Sequence, residues 1–495
     1  MSEVKFKESP VSSHKQQDLQ QSKYDDDNDN EDIDLSDVSE RISLDQMIDT
    51  HIPVGKFHYR LLIVCGLAWA ADSMEFSLLS FLSICAGLDW NLSSSQTALI
   101  SSVVFVGELL GSLWWGRMAD TYGRRKTFLM GCSIICIFGF LSGLATSFEV
   151  LCLCRTLVGF GVGGLFVISD LLAELMPSSH RGKYLIYVEY FWTLGSLFVA
   201  GLAWILLNIS GWRSLTFATV IPVSISLFFA YFYLPESPRW LVSQKRFSEA
   251  ENIILAIASC NNMIIAPFHL SYELETVISP APKTHWKALI SKPMRKITLA
   301  LLIIWGSFGF TYNGIILFVA RAYSNDSNMG TCSFDYSAIM VNAASELLGT
   351  LLATLCIDSW GRNRTQTYIY LAAAVSITFI IASTSKYVLL TAAFFARSAI
   401  MGASNATWVI TPELYPTKIR ATGHSICNSM ARITAFFVPF LVDSTATNQQ
   451  ICVVLAIVSI IATIASSTLP ETKNIKLDVI DNNNNNQVVH QYNKL

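Results

Sequence analysis

The sequence predicts an all-α membrane protein with twelve transmembrane helices in two pseudo-symmetric six-helix bundles, and three observations support this prediction. Of the 495 residues, 52% are hydrophobic and only 14% are charged, whereas an average soluble domain carries about 25% charged residues. About twelve apolar runs reach the ~20 residues that a helix needs to cross a bilayer. Three paired motifs recur at nearly constant offsets of 238, 239 and 235 residues, and such parallel repeats are typical of secondary transporters.

Composition divides the chain into five segments. The first is rich in acidic residues, the third is basic, and the last contains a run of asparagines; polar segments of this kind rarely bury enough apolar surface to fold. We therefore expect a disordered cytosolic tail over 1–55, a first bundle over 56–234, a cytosolic central loop over 235–296, a second bundle over 297–470 and a disordered cytosolic tail over 471–495.

Basic residues in the short loops predict the orientation. Arginine and lysine concentrate in alternate loops, and loops with such an excess remain in the cytosol. Because the number of spans is even, both chain termini are expected there as well. The sequons at Asn91 and Asn325 then fall in non-cytosolic loops and are candidates for glycosylation. Either the plasma membrane or an intracellular vesicle fits this arrangement.

Two Asp-x-x-Gly-Arg turns lie between apolar runs at corresponding places in the two halves. A turn of this kind must lie at the membrane surface, because lipid offers its backbone no hydrogen-bond partner. We interpret the turns as latches, in which Arg124 pairs with an acid such as Glu174 across the cytosolic face and such pairs hold the halves together when the other side is open. A generic basic loop is the alternative, but it does not explain the repeated aspartate and glycine. The residues assigned to this cytosolic gate are Asp120, Gly123, Arg124, Arg125, Glu174, Arg181, Asp358, Gly361, Arg362, Glu413 and Arg420.

Together with Arg155-x-x-x-Gly159-x-Gly161 and Pro235-Glu-Ser-Pro-Arg239, these motifs resemble the signature set of the major facilitator superfamily. Two motifs, Ala71-Asp-Ser-Met-Glu75 and Thr411-Pro-Glu-Leu-Tyr-Pro416, resemble those of the synaptic vesicle two-related transporters, which are related to the organic cation and anion transporters. The resemblance covers about residues 55–475, and it departs from the family pattern at Thr121, where a basic residue is common. It implies a transporter that uses no cofactor and in which helices one, four, seven and ten line a central cavity.

Ionisable residues within the apolar runs are the main pointers to function. Such a residue at the membrane centre costs about 3 kcal/mol or more, so it usually faces a partner or a wet cavity. Asp72 and Glu75 lie three residues apart on the first helix and share a face, where two acids suit a proton relay or a cation site. The alternative is a structural pair neutralised by Arg432 or another buried base. Arg155 lies near the outer end of the fourth helix, where it can extend to the surface.

Further polar residues complete the expected pathway. Deep acids concentrate in the first half and deep bases in the second, which indicates charge pairing across the interface between the halves. By resemblance, residues of the first, seventh and tenth helices line the cavity. The pathway candidates are Asp72, Glu75, Glu189, Tyr312, Asn313, Glu346, Arg397, Asn405 and Arg432.

The cysteines have neither metal-ligand spacing nor a disulfide framework. Most of the 11 lie inside apolar runs, where they act as small packing residues. Cys85 and Cys332 both fall near the non-cytosolic edge. A disulfide between them is one alternative, and two free thiols are the preferred interpretation. We expect no metal and no cofactor.

The sequence therefore predicts a monomeric secondary transporter that moves a small polar or charged organic solute through the bilayer by alternating access, with protons as an optional coupling ion. A transporter-like vesicle protein that acts as a receptor or scaffold is the alternative. An enzyme is disfavoured because no nucleophile elbow, metal cluster or phosphate loop is present, and nothing indicates a nucleic-acid partner.

Overall fold

The computed structural model describes residues 40–265, 268–270, 289–291, 294–324, 332–382, 385–415 and 417–472, without the side chains of residues 40, 41, 179, 358, 417, 418, 420 and 421. In this part of the chain, 11 helical segments are long and apolar enough to cross a membrane. One of these, 54 residues long, breaks at Gly211, where φ is 76°, and therefore holds two spans. The twelve predicted spans are confirmed.

The segment that precedes the first span is folded. Strand β1 (Glu40–Ile42) pairs in parallel with strand β2 (Phe268–Leu270) of the central loop, and helix α1 (Leu44–His51) follows β1. Leucine, methionine and isoleucine side chains of α1 are buried. The expectation of a disordered tail over 1–55 is therefore wrong from Glu40 onward, because these apolar side chains have a surface on which to pack. Residues 1–39 lie outside the described part.

The first half contains the first six spans. The fourth span is broken between α5 and α6, and the fifth and sixth form the kinked α7; the short helices α8 and α9 belong to the central loop. Side-chain capping starts several helices, as where Ser93 and Gln96 form a capping box. The helices are α2 (Lys56–Asp89), α3 (Ser94–Tyr122), α4 (Arg124–Gly143), α5 (Phe148–Val162), α6 (Phe166–Leu175), α7 (Ser178–Tyr233), α8 (Pro238–Ser243) and α9 (Phe247–Cys260).

The second half repeats this plan with six unbroken helices. Thr447 and Gln450 form a capping box at the start of its last helix, at the end of the bundle where Ser93 caps α3. The helices are α10 (Arg295–Ala322), α11 (Tyr336–Ser359), α12 (Arg362–Ala382), α13 (Lys386–Leu414), α14 (Thr417–Val442) and α15 (Asn448–Ser467).

The two ends of the bundle differ in how the halves meet. We call the end that carries Gly123 and Gly361 the turn face, and the other end the opposite face. On the opposite face a disulfide joins Cys85, near the end of α2, to Cys332, before α11. The preference for a free pair is wrong, because packing of the halves brings these two residues within 5.3 Å between their Cα atoms. The sequon residue Asn91 is exposed in the loop beside this bridge, whereas Asn325 lies outside the described residues.

Candidate functional site

The first Asp-x-x-Gly-Arg turn is closed by a carboxylate from far along the chain. The backbone N–H groups of Arg124 and Arg125 donate to Glu236 Oε1 at 2.7 and 3.1 Å. These groups begin α4, where they have no partner inside the helix and where the helix dipole favours a negative charge. Gly123 has φ of 99°, and a Cβ there would lie 2.3 Å from Glu236 Oε2. Glycine therefore leaves room for the carboxylate.

The second turn repeats this arrangement. Gly361 has φ of 101°, and the Arg362 N–H donates to Glu471 Oε1 at 2.7 Å. A Cβ at position 361 would lie 2.5 Å from Glu471 Oε2. Glu236 and Glu471 stand in the repeated Pro-Glu-Ser and Pro-Glu-Thr motifs. The sequence marked these motifs as a repeat, but it missed that their glutamates cap the helix after each turn.

The arginine side chains of the turns form ion pairs within their own half. Arg124 lies 3.2 Å from Asp120 and 3.5 Å from Glu174. Arg362 lies 3.6 Å from Glu413. The expected Arg124–Glu174 pair is present, and its two residues belong to the same half, as do Arg362 and Glu413. That such pairs hold the two halves together when the other side is open stays a prediction.

The remaining gate residues have separate surroundings. Arg125 donates from Nη2 to the carbonyl of Tyr231, at the end of α7, at 2.7 Å. Arg181 interacts electrostatically with the acidic residues of α1. The side chains of Asp358 and Arg420 lie outside the described part of the structure.

A buried ion pair fixes one of the two acids of the first helix. Arg155 Nη1 lies 2.6 Å from Glu75 Oε1, and Arg155 Nε donates to Ser142 Oγ at 3.1 Å. Arg155 is only 1% exposed, so the expectation that it extends to the surface is wrong. Glu75 is therefore neutralised by a buried base, which the alternative interpretation allowed, and this base is Arg155 rather than Arg432. A role of Glu75 in transport stays a prediction.

A second buried pair lies in the second half. Arg397 Nη2 lies 2.8 Å from Glu346 Oε1, and the Tyr312 hydroxyl donates to the same oxygen at 2.9 Å. Trp192, on α7 of the first half, donates from Nε1 to the Tyr312 hydroxyl at 2.5 Å. This chain of hydrogen bonds connects the ion pair to the wall of the first half.

A third pair joins the two halves at depth. Arg432 of α14 lies 2.8 Å from Glu108 of α3, and both side chains are largely buried. Of the three buried pairs named here, this one alone follows the expected rule of a first-half acid with a second-half base. It places a charged contact on the α3–α14 seam between the halves.

An internal cavity lies between the halves. Its volume in this conformation is about 40 Å³, which is room for a few water molecules. Its ionisable lining residues are Asp72, Glu189 and Arg432. Asp72 is fully buried, and both of its carboxylate oxygens lack a hydrogen-bond partner among the described residues. Because Arg432 is already paired with Glu108, the cavity region has an excess of acidic groups.

Aromatic rings from both halves meet in the wall of the cavity. Trp408 of α13 lies against Trp69 of α2 at 6.2 Å and stacks on Phe166 of α6 at 6.1 Å between ring centroids. Trp192 stands 6.3 Å from Trp69. The walls therefore offer several ring faces beside the unpaired carboxylate of Asp72.

Five of the nine pathway candidates line this cavity: Asp72, Glu189, Tyr312, Asn313 and Arg432. Glu75, Glu346 and Arg397 lie behind the wall in ion pairs. Asn405 is buried, and neither its amide nitrogen nor its amide oxygen has a partner in the described residues.

The lining also includes residues that the sequence interpretation missed, namely Trp69, Phe76 and Phe166. Trp69 and Phe76 lie three and four residues from Asp72, which is the spacing of one helix face, so this signal was available in the sequence. Residues of the fifth and eleventh spans line the cavity beside those of the first, fourth, seventh and tenth.

Comparisons with known proteins place the chain in a family. Residues 8–483 match the family described as sugar (and other) transporter. The chain is 30% identical over 447 residues to organic cation/carnitine transporter 7 of Arabidopsis thaliana, with 82% of this chain and 89% of the relative covered. It is 32% identical over 443 residues to the synaptic vesicle 2-related protein of Xenopus laevis, with 85% and 80% covered.

Among solved structures, the chain matches the E. coli xylose transporter XylE in a partially occluded inward-open conformation. The TM-score is 0.68, with 18% identity and 85% of this chain and 100% of that chain covered, a likeness that concerns the fold alone. The resemblance read from the turn motifs is confirmed by these matches. The chain belongs to the sugar (and other) transporter family of the major facilitator superfamily, in the branch of the synaptic vesicle 2-related and organic cation transporters.

Proposed function

We propose that this membrane transporter moves a small organic cation by alternating access, with Asp72 as the group that binds either the cation or a proton. The observation that carries the proposal is the cavity between the halves, in which the Asp72 carboxylate has no hydrogen-bond partner among the described residues. A charged carboxylate at this depth is expensive unless it is neutralised. A bound cation or a bound proton supplies the missing charge.

The composition of the walls supports a cation as substrate. Asp72 and Glu189 both face the cavity, and its arginine, Arg432, is already paired with Glu108. Aromatic faces such as those of Trp69 and Trp408 attract organic cations through their π-electrons. An anion would meet two carboxylates, and an uncharged polyol would supply no charge to replace the protons that keep them neutral.

Proton coupling follows from the same unpaired carboxylate. When the cavity is empty, Asp72 is neutral only if it carries a proton; when a cation enters, the proton leaves. Glu75 is held by Arg155 at 2.6 Å and is not needed as a carrier. The sequence interpretation assigned coupling to both acids, and we now propose Asp72 alone.

The turn face is proposed to be cytosolic, with both chain termini on that side. The support is the excess of arginine and lysine in its loops. Epitope tags placed after Gly116 and after Ser359 test this orientation in intact cells. Antibody binding only after permeabilisation is expected, and binding to intact cells would reverse the assignment.

The relatives' names agree with transport: one is called an organic cation/carnitine transporter. One observation favours the alternative of a transporter-like receptor or scaffold, namely the disulfide that ties the two halves across the opposite face. A bundle locked on one side can still bind a ligand without moving it. Transport and binding must therefore be measured separately.

The experiment uses purified protein reconstituted into vesicles, with tetraethylammonium as the cation, p-aminohippurate as the anion and mannitol as the polyol. We expect uptake of tetraethylammonium to be driven by a pH gradient and to exceed uptake of the other two. Asp72→Asn should reduce it at least tenfold, the equivalent of about 1.4 kcal/mol. Glu149→Gln serves as the matched control, since Glu149 is exposed on the opposite face.

Three outcomes decide between the candidates. Equal uptake in Asp72→Asn and in the control refutes the assignment of Asp72. Preferred uptake of mannitol or p-aminohippurate refutes the cation. A thermal shift with tetraethylammonium but no uptake, both before and after reduction of the disulfide, favours the receptor.

A further inference from the structure

We propose that a groove at the turn face, outside the transport cavity, binds an anionic phospholipid from the adjacent leaflet. The groove lies between the start of α2, the end of α7 and the helix α9 of the central loop. It encloses about 960 Å³ of space, including space open to the outside. This site does not depend on which solute the protein transports.

The position of the groove is that of a lipid headgroup. Arg60 lies in the second turn of the first span, and Phe232 and Tyr233 lie at the end of the sixth, so their side chains stand at the edge of the apolar layer. Phe232 and Tyr233 are 61% and 56% exposed. Aromatic side chains exposed at this depth are typical of the membrane interface.

The polar part of the groove is positive. Arg60 and Arg125 line it, and its lining holds no acidic residue within the part of the chain that the structure describes. Arg60 is exposed, and within the described residues its guanidinium has a weak contact of 3.6 Å with the sulfur of Cys260. Arg125 donates from Nη2 to the carbonyl of Tyr231, and its Nε has no hydrogen-bond partner among the described residues. Two arginines that line one groove suit a phosphate group, which guanidinium groups bind through charge-assisted hydrogen bonds.

The rest of the groove is apolar. Leu61 and Val64 of α2 face Ile253 and Ile257 of α9 across it. These side chains suit the first carbons of an acyl chain, whereas a free phosphate ion would use only the arginine end. The combination of two arginines with an apolar floor therefore favours a phospholipid over a soluble anion, and basic pockets between transmembrane helices are known to hold anionic headgroups.

The test is lipid retention by the purified full-length protein, measured by native mass spectrometry in detergent with equal amounts of phosphatidylglycerol and phosphatidylcholine. We expect the wild type to retain phosphatidylglycerol preferentially. Arg60→Gln and Arg125→Gln should each weaken retention roughly fivefold, because a basic residue at the membrane surface contributes about that factor. Arg117→Gln is the control, since Arg117 is exposed on the same face but outside the groove.

A second variant keeps both charges and tests the apolar part. Ala256 lines the groove and is exposed, so Ala256→Trp should block the groove without disturbing the core and should also reduce retention. The proposal is overturned if Arg60→Gln retains as much phosphatidylglycerol as Arg117→Gln, if Ala256→Trp has no effect, or if inorganic phosphate displaces the lipid. The last outcome would indicate a soluble anion instead.

Discussion

Replacing Gly123 by alanine tests how the turns are built. The native backbone there has φ of 99° and ψ of 161°, a region in which residues other than glycine pay about 1–3 kcal/mol. The new Cβ would also lie 2.3 Å from Glu236 Oε2 and push the carboxylate from the start of α4. Loss of a helix cap costs about 0.5–2 kcal/mol, and loss of its charge up to ~2 kcal/mol more. We expect a total of about 1.5–7 kcal/mol.

The assay is thermal unfolding of the purified protein in detergent, with all variants heated at the same rate because unfolding of such proteins is often irreversible. Gly116→Ala is the matched control. Gly116 lies in the same helix α3, and a Cβ there meets nothing within 4 Å, so alanine should stabilise the helix by up to ~1 kcal/mol. Gly123→Ala should lower the midpoint, whereas Gly116→Ala should leave it unchanged or raise it.

A double variant makes the prediction stricter. Gly123→Ala and Glu236→Ala remove the same contact, so their combined effect should be smaller than the sum of the single effects. Equal midpoints for Gly123→Ala and Gly116→Ala would refute the reasoning. Fully additive losses would show that the glycine and the glutamate act independently.

Two further predictions concern the opposite face. Reduction of the Cys85–Cys332 bridge should increase the uptake rate of the reconstituted protein several-fold, because the bridge restrains opening of this face. The Cys85→Ser variant should show the faster uptake rate with or without reductant. Equal uptake rates in oxidised wild type, reduced wild type and Cys85→Ser would contradict this. Hydrogen bonds from Ser337 and Lys386 hold the pKa of Asp335 below its usual value, so this carboxylate stabilises the folded state above its unfolded pKa of about 3.9. That contribution is lost as the pH falls through the lower folded value, and between pH 7 and pH 3 the unfolding midpoint of the wild type should drop further than that of Asp335→Asn.

The duplicated plan of the fold could be predicted because it depends on local patterns in the sequence. Apolar runs set the number of spans, and the motifs around Gly123 and Gly361 repeat along the chain. The contacts that these motifs make in the folded chain were harder to predict. That Glu236 caps the helix after Gly123 is a contact across 112 positions, and only the packing of α4 against the end of α7 brings it about.

Local sequence patterns did not predict the features that depend on which groups come into contact in the folded chain. The acidic tail concealed a short apolar helix, because the charged residues before it dominate the composition of the segment. The arginine Arg155 lies in a run that reads as a helix end, yet it is buried against Glu75. Its burial depends on an acid 80 positions earlier, and no periodicity within its own helix marks that partner.

The same limit separates Asp72 from Glu75. Three residues of an α-helix rise by about 4.5 Å and turn through about 300°, so the two carboxylates point only ~60° apart. Sequence spacing therefore assigns them to one face and one role. In the folded chain that small offset directs Glu75 to Arg155 and leaves Asp72 open to the cavity. A proton relay that needs both acids would be disabled equally by either neutralisation. If Asp72 works alone, Glu75→Gln lowers stability but leaves the response to pH in the protein that still folds, whereas Asp72→Asn folds normally and loses that response.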